Sequence, residues 1–338
     1  MHKYKPENMK TEEERELQRK KEEADLYVNT QGGKGIKKIE ILGAEKAFNW
    51  RSDVQHARDI SLENSRISCL GPSGMINQCI PGTMNLYLDR NLLYSWDQYF
   101  EIIKELPFLR IIVLTGNKFR RLPKDYFEDK NIAELTHTHL YELVFIDMGL
   151  DWEQIDTLTP VLSYCEHLHL VNNYCSKIST LYKIPKDNFK LLKFINLENN
   201  GIESWDEVIE FRHLPSLQKL TLNKNNIKQI EYKPGFKELK YLSIEDNLIN
   251  QWESFNSINE YSSIKDLRIL RNPILEESIG GARARDIGIA RCEFLNRFNG
   301  TWLDEAERKD CEIYYMKLTF KQFLQTLNEF DKITELED

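Results

Sequence analysis

The sequence lacks the features that mark a membrane-spanning, secreted or zinc-binding protein. Its 338 residues contain no apolar run of about eighteen, so no segment is predicted to cross a bilayer. The N-terminus, MHKYKPENMKTEEERELQRKKEEA, is densely charged and has no apolar core, which excludes a secretory signal. The six cysteines include no CxxC pair. We therefore predict reduced thiols in a cytoplasmic chain, without a zinc site.

A basic surplus and recognisable catalytic motifs are also missing. Lysine and arginine number 46 against 54 aspartates and glutamates, for a net charge of -8. This balance disfavours general binding to nucleic acid or to anionic membranes. Neither G-x-S-x-G nor HExxH occurs, and paired carboxylates lie in solvated runs such as TEEERE. We predict that the chain is not an enzyme and has no catalytic residue or cofactor.

Two features have a weaker interpretation as ligand sites. His167 and His169 alternate along a predicted strand, and His137 and His139 alternate just before another, so each pair shares one strand face. No carboxylate or cysteine is spaced to complete a metal site, and we interpret these as surface histidines. QGGKG at 31–35 lacks the G-x-x-x-x-G-K-[ST] pattern of a phosphate loop and is interpreted as a linker.

What the sequence does contain is a long internal repeat. The template LxxLxLxxNxL occurs nine times, with first positions at 57, 83, 109, 140, 165, 192, 217, 239 and 264. The spacing is typical of leucine-rich repeats. We predict an α/β leucine-rich repeat solenoid of about nine repeats, with parallel strands on the concave side and helices or turns outside.

The template divides the chain into three predicted parts. Residues 1–36 form a charged helical or flexible segment, residues 37–276 the solenoid, and residues 277–338 a helical C-terminal cap and tail. A capping strand at 38–42 (KIEIL) opens the solenoid. Solenoids need such caps because a terminal repeat would otherwise expose its core.

The cap and one irregular gap carry further predictions. In the cap we expect a helix at 279–297, a break at Asn299-Gly300 and a second helix from 303 to 327. The long gap after the third repeat predicts an insertion near 120–137 that projects from the rim or the convex side.

The ninth template position predicts a ladder of buried asparagines. A side-chain amide can donate to and accept from the backbone of neighbouring repeats, so successive asparagines can stack along the solenoid. Ser65 and Met148 replace the asparagine in the first and fourth repeats, and we predict a local weakness at Met148 because it cannot form these hydrogen bonds. The seven predicted members are Asn91, Asn117, Asn173, Asn200, Asn225, Asn247 and Asn272.

Tryptophans follow the ladder position at a nearly fixed distance. Trp96, Trp205 and Trp252 lie five residues beyond it and Trp152 four. An aromatic interaction stripe is one interpretation. We favour packing at the start of each convex-side helix, because core packing requires the same register in every repeat.

Template positions three, five and seven are predicted to face solvent on the concave side, because side chains alternate along a strand. Apolar residues at these positions on adjacent strands predict a contiguous patch rimmed by acidic residues, which usually marks a protein interface. The alternative is that the N-terminal segment or the insertion covers the patch. The predicted partner-binding residues are Tyr87, Ile111, Val113, Val144, Ile146, Val171, Phe194, Glu198 and Tyr241.

Several segments between roughly residues 37 and 316 are typical of one known family: SLENSRISCLG, NLLYSWDQ, INQWESFN, LRILRNPI and, in the cap, ARDIGIAR followed by LDEAERKDCEIYY. In these segments the chain resembles tubulin-folding cofactor E. The resemblance implies binding to α-tubulin and to other tubulin-folding cofactors. It also implies a role after chaperonin release, in assembly or dissociation of the α/β heterodimer, without nucleotide hydrolysis.

The sequence departs from that family at both ends. It shows no CAP-Gly signature before the repeats, and it stops at TELED where the family continues into a ubiquitin-like domain. We interpret the chain as a reduced paralogue, an isoform or an incomplete gene model. We expect a cytoplasmic, cytoskeleton-associated protein, monomeric when free, with no nucleic-acid or membrane partner. The alternative is a generic cytosolic leucine-rich repeat scaffold or adaptor for another protein.

Overall fold

The computed structural model describes residues 56–178, 189–276 and 283–337. In these residues a single sheet of eleven strands runs in sequence order from one end of the repeats to the other. The predicted N-terminal segment at 1–36 and the capping strand at 38–42 lie outside the described residues.

Nine parallel strands, one for each template copy, form most of the sheet. Each strand covers template positions three to five, and all neighbours pair in the same register. The predicted α/β leucine-rich repeat solenoid is confirmed. The strands are Asp59–Ser61 (β1), Asn85–Tyr87 (β2), Ile111–Val113 (β3), Glu142–Val144 (β4), His167–His169 (β5), Phe194–Asn196 (β6), Lys219–Thr221 (β7), Tyr241–Ser243 (β8) and Asp266–Arg268 (β9).

The core lies behind the strands and is built from template positions four and six. From the second repeat to the ninth, these side chains are at most 3% exposed. Each buried leucine or isoleucine stabilises the fold by about 1.5–3 kcal/mol relative to an exposed one. Alternation along the strand therefore forces positions three and five onto the opposite, concave face.

Short helices cover the convex side of the core. Their starts are encoded locally: Ser95 and Gln98 form a capping box, and the Asp151 carboxylate accepts a hydrogen bond from the Gln154 amide. The α-helices are Met75–Cys79 (α1), Trp96–Glu105 (α2), Ile132–Leu135 (α3), Trp152–Leu158 (α4) and Glu253–Asn259 (α5). The 3₁₀ helices are Thr159–Val161, Trp205–Glu207, Ile209–His213 and Pro273–Leu275.

The tryptophans pack at the starts of these helices, as the sequence predicts. Trp96, Trp152 and Trp205 are each the first residue of a helix and are 2–3% exposed. Trp252 lies directly before α5 and is half-buried. The aromatic register is thus a packing feature of the convex side and forms no exposed stripe.

The insertion near 120–137 docks on the convex side. Tyr126 stacks on Phe100 of α2 with ring centroids 5.7 Å apart, and Phe127 meets the same ring edge-on at 5.8 Å. The Tyr126 hydroxyl also donates to Asp97. These contacts place the insertion on the convex side, one of the two predicted positions, and not over the concave patch as in the alternative interpretation.

The C-terminal cap differs from its prediction. The first helix, Ala284–Arg291 (α6), ends six residues earlier than predicted, and two strands follow it: Arg297–Phe298 (β10) and Thr301–Trp302 (β11). Phe298 pairs with Leu267 and is fully buried, so the sheet extends by a tenth parallel strand. Asn299 and Gly300 have φ of 52° and 84° and form the tight turn to antiparallel β11.

The last helix, Glu305–Glu337 (α7), closes the end of the solenoid. Its Arg308 guanidinium donates to the backbone carbonyl of Cys292 at 3.0 Å. Cys311 of the same helix is buried. Arg285 of α6 forms an ion pair with Glu307 at 2.6 Å. None of the helices in the described residues has both the length and the apolar character needed to cross a membrane.

Candidate protein-binding surface

A row of apolar side chains crosses the concave face at template position five. Tyr87, Val113 and Val144 lie directly opposite one another on β2, β3 and β4. Neighbouring strands are about 4.8 Å apart, so these half-buried side chains are in lateral contact range. Ile111 lies two residues from Val113 on the same face of β3 and widens the row.

The apolar row extends beyond the strand ends at position seven. The amide of Gly116 donates to the carbonyl of Ile146 at 2.8 Å, and the amide of Asp147 donates to the carbonyl of Val171 at 3.0 Å. Ile146 and Val171 therefore lie on adjacent repeats, and both are half-buried. We call the six residues Tyr87, Ile111, Val113, Val144, Ile146 and Val171 the apolar patch.

A polar cluster separates the apolar patch from Phe194. The Glu142 carboxylate lies 3.6 Å from Nδ1 of His167 and 3.3 Å from Nε2 of His169. Phe194 meets the His169 ring edge-on, with centroids 5.1 Å apart. Phe194 thus adjoins the cluster rather than the patch itself, which sequence reasoning did not predict.

Burial disfavours the charged form of one imidazole in the cluster. Burial lowers the pKa of His169, and this outweighs the neighbouring Glu142 carboxylate, which raises it. No group of three or more histidines, cysteines and carboxylates in the described part of the chain is arranged to hold a metal ion. The cluster is suited to hydrogen bonding with a cationic or donor group on a partner.

Two predicted partner-binding residues lie apart from the apolar patch. Glu198 pairs with Lys224 at 2.6 Å, near the carboxyl ends of the strands. Tyr241 is separated from Phe194 by Lys219 on the intervening strand, and the Arg268 guanidinium lies 5.6 Å from its ring centroid. These residues belong to a more polar half of the concave face.

Not every position-five side chain faces solvent. Thr221 is 8% exposed and Ser243 only 1% exposed, so the concave face recedes over β7 and β8. The Ser243 hydroxyl donates to Oδ1 of Asn223 at 2.8 Å. The alternation rule alone does not predict the burial of these two side chains.

The seven predicted ladder asparagines connect adjacent repeats and are at most 5% exposed. At Asn200, Nδ2 donates to the carbonyl of Leu170 at 2.8 Å and Oδ1 accepts from the amide of Cys175 at 3.0 Å. The other ladder members also donate to a carbonyl of the preceding repeat. Met148 is buried at the equivalent position and has no side-chain amide to form these hydrogen bonds.

Every repeat has a second turn feature that was not predicted from the sequence. The residue before the ladder position has a left-handed backbone, with φ of 51–55° for the non-glycine residues. Asparagine, aspartate and glycine tolerate this conformation best and fill six of the nine positions, which was the available signal. The nine residues are Asn64, Arg90, Gly116, Asp147, Asn172, Asn199, Lys224, Asp246 and Arg271.

Comparison with known proteins supports the resemblance seen in the sequence. No protein-family model matches the chain. The tubulin-folding cofactor E of Arabidopsis thaliana is 29% identical over 328 residues, which cover 94% of this chain and 60% of the relative. Over most of its length the chain is similar to this cofactor E. Human tubulin-specific chaperone E is 27% identical, covering 59% of this chain and 36% of its own length. The Xenopus laevis protein is 25% identical, covering 86% and 55%.

The chain therefore spans between about a third and three-fifths of the length of these cofactor E relatives. Among solved structures, a leucine-rich repeat protein of Leptospira interrogans is similar at 22% identity, with a TM-score of 0.45. It covers 75% of this chain and 56% of its own.

Proposed function

We propose that this chain is a tubulin-binding folding cofactor that acts on α-tubulin through the concave face of its repeats. The observation that carries the proposal is the apolar patch on β2–β5, in a solenoid whose curated relatives are named tubulin-folding cofactor E or tubulin-specific chaperone E. The patch is half-buried within the chain, and the nearest insertion packs on the opposite side.

The chemistry of this face supports binding. Half-buried valine, isoleucine and tyrosine side chains lose further solvent contact when a partner covers them, which favours association. Glu142 at the edge of the patch would lose solvation unless the partner supplies a donor, and so contributes specificity. Phe194, beyond the cluster, offers a second apolar contact.

The proposed mode of action is stoichiometric. A binding protein shifts an equilibrium only through different affinities for its two states, so a cofactor that prefers free α-tubulin over the α/β heterodimer promotes dissociation. A cofactor that instead prefers α-tubulin in the state that can bind β-tubulin would promote assembly of the heterodimer. We further propose that the chain works in the cytoplasm, near microtubules, with other tubulin-folding cofactors and as a monomer when free.

Size-exclusion chromatography of the full chain with α/β-tubulin tests the proposal, with each tubulin subunit detected by blotting. We expect co-elution with α-tubulin, or loss of intact heterodimer. The double variant Val144→Asp/Phe194→Asp should abolish this, because it places two charges in the contact. The matched control Leu92→Asp/Leu248→Asp changes two exposed leucines outside the concave face, 57% and 41% exposed, and should bind normally.

Thermal unfolding of both variants separates lost binding from lost structure. Should the first variant unfold early, Ile146→Lys offers a second change within the patch. Tubulin binding that survives a folded concave variant would contradict the concave-face assignment. If the unmodified chain does not bind tubulin at micromolar concentration, the repeats serve as a scaffold for a different protein.

A further inference from the structure

The concave face changes character between its two halves. At template positions two and three, the second to fifth repeats carry one arginine and two glutamates. The sixth to ninth repeats carry Lys193, Lys219, Lys240 and Lys265, with Asp266 as the one carboxylate at those positions. We call these four lysines the basic rim. It is a local excess of positive charge in a chain whose net charge is -8.

Backbone hydrogen bonds place the basic rim at the starts of four consecutive strands, β6 to β9. The Lys193 carbonyl accepts from the amide of Lys219 at 2.9 Å, and the Lys240 carbonyl accepts from the amide of Lys265 at 2.9 Å. The amide of Lys240 donates to the carbonyl of Gln218, the residue before Lys219. With strands about 4.8 Å apart, the rim spans about 15 Å, the length of four to five residues of extended peptide.

Much of this charge is unpaired. Lys193 forms an ion pair with Glu166 at 2.6 Å, and the Lys265 ammonium donates to the Ser262 carbonyl. Within the described part of the chain, Lys219 and Lys240 form no ion pair, and both are exposed. Lys237, which precedes β8 and is also exposed, adds a third such ammonium.

Two arginines continue the positive charge along the same end of the sheet. Arg268 on β9 and Arg297 on β10 are half-buried, and their guanidinium groups lie over the rings of Tyr241 and Trp302, at 5.6 and 4.3 Å from the ring centroids. Asp266 lies 3.9 Å from the Arg297 guanidinium and offsets only part of this charge. Exposed lysines without ion pairs, with two arginines beyond them, favour a ligand that supplies several carboxylates.

We propose that the basic rim binds an acidic, extended polypeptide segment of the partner, beside the apolar patch that holds the partner's folded surface. Several features favour a peptide over nucleic acid. The chain as a whole is acidic, the rim is made of lysines rather than base-reading arginines, and Glu238 and Asp266 would repel a continuous phosphate backbone. The geometry of the basic rim does not depend on the proposed function. Only the identity of the partner rests on the proposed function.

Fluorescence anisotropy of a fluorescein-labelled peptide of alternating glutamate and glycine tests the inference with the full chain. We expect saturable binding at low salt that weakens as salt increases, because the contact is between exposed charges. The variant Lys219→Glu/Lys240→Glu should weaken binding by about tenfold or more, since each tenfold corresponds to only about 1.4 kcal/mol. The matched control Lys309→Glu/Lys317→Glu changes two exposed lysines of α7 and should stay within about twofold.

The outcomes are distinct. Absence of peptide binding by the folded chain, or an equal loss in both variants, would overturn the inference. Tighter binding of a single-stranded RNA of matched charge, lost in the Lys219/Lys240 variant, would assign the rim to nucleic acid instead. Because the probe is a synthetic peptide, its failure is separate from failure to bind tubulin. Tubulin binding with no peptide binding would leave the proposed function intact and remove only the basic rim from it.

Discussion

At the scale of single residues, the solenoid depends on polar side chains that are buried between repeats. Each ladder asparagine satisfies backbone groups that the short strands leave free where the chain turns away from the sheet. The left-handed residue just before it completes the turn. Its amide donates to the next repeat, as Asn172 does to the carbonyl of Glu198 at 3.0 Å. A polar turn thus holds each pair of repeats in register.

Asn200→Ala tests how much one ladder member contributes. The substitution leaves the Leu170 carbonyl and the Cys175 amide without their side-chain partner in a buried site. We expect the free energy of unfolding to fall by about 1–3 kcal/mol. Urea denaturation followed by circular dichroism provides the measurement. Asn226→Ala, one residue beyond the ladder and exposed, is the matched control and should change stability by less than about 0.5 kcal/mol.

At the scale of elements, the repeats were more predictable than the cap. The template specifies which residues enter the core, so all nine strands fall where its spacing places them. In the cap, Ile287 and Ala290 have helical spacing that the prediction extended too far. Leu295 and Phe298 instead repeat the three-residue step of a template strand and continue the core. Helical spacing and template spacing overlap in this part of the cap. The pairing of Phe298 with Leu267 decides in favour of the template strand.

The candidate site was also predictable in part. Register follows from the template, so the row at position five could be read from the residues alone. The orientation of the Glu142 side chain toward two imidazoles could not, because it depends on rotamers and on competing hydrogen bonds. The burial of Ser243 likewise depends on side-chain contacts such as its hydrogen bond to Asn223, which residue spacing does not encode.

The packing of α6 against the repeats gives a prediction at this scale. A Cβ added at Gly288 would lie 2.8 Å from a ring carbon of Phe255 and 3.3 Å from one of Phe298. Gly288→Ala should therefore destabilise the chain by about 1–3 kcal/mol, although alanine ordinarily favours a helix. Thermal unfolding measures the effect. Phe255→Leu makes room for the methyl group, so the double variant should lose less than the sum of the single variants. A stabilised Gly288→Ala variant would contradict close packing at this point.

At the scale of the whole molecule, stability is distributed over the interfaces between neighbouring repeats, as in a one-dimensional array. From the second repeat to the ninth, the ladder is interrupted only at Met148, between the third and fourth repeats. Other contacts offset part of this loss: Phe145 packs against Trp96 at 5.8 Å, and Lys118 pairs with Asp147 at 3.0 Å. The interruption lies beneath the apolar patch, so flexibility there would affect partner binding directly.

Native-state hydrogen exchange followed by NMR would test this weak point. The amides of Leu93 and Ile202 donate to the ladder oxygens of Asn117 and Asn225, whereas for the equivalent amide of Phe119 the next ladder position is Met148, which has no side-chain oxygen. We expect Phe119 to exchange faster, by roughly tenfold if the missing hydrogen bond contributes about 1–1.5 kcal/mol to local protection. Equal protection at all three amides would show that aromatic packing around Phe145 compensates fully. In that event, the apolar patch would be as rigid as the rest of the concave face, and a partner would dock on a preformed surface.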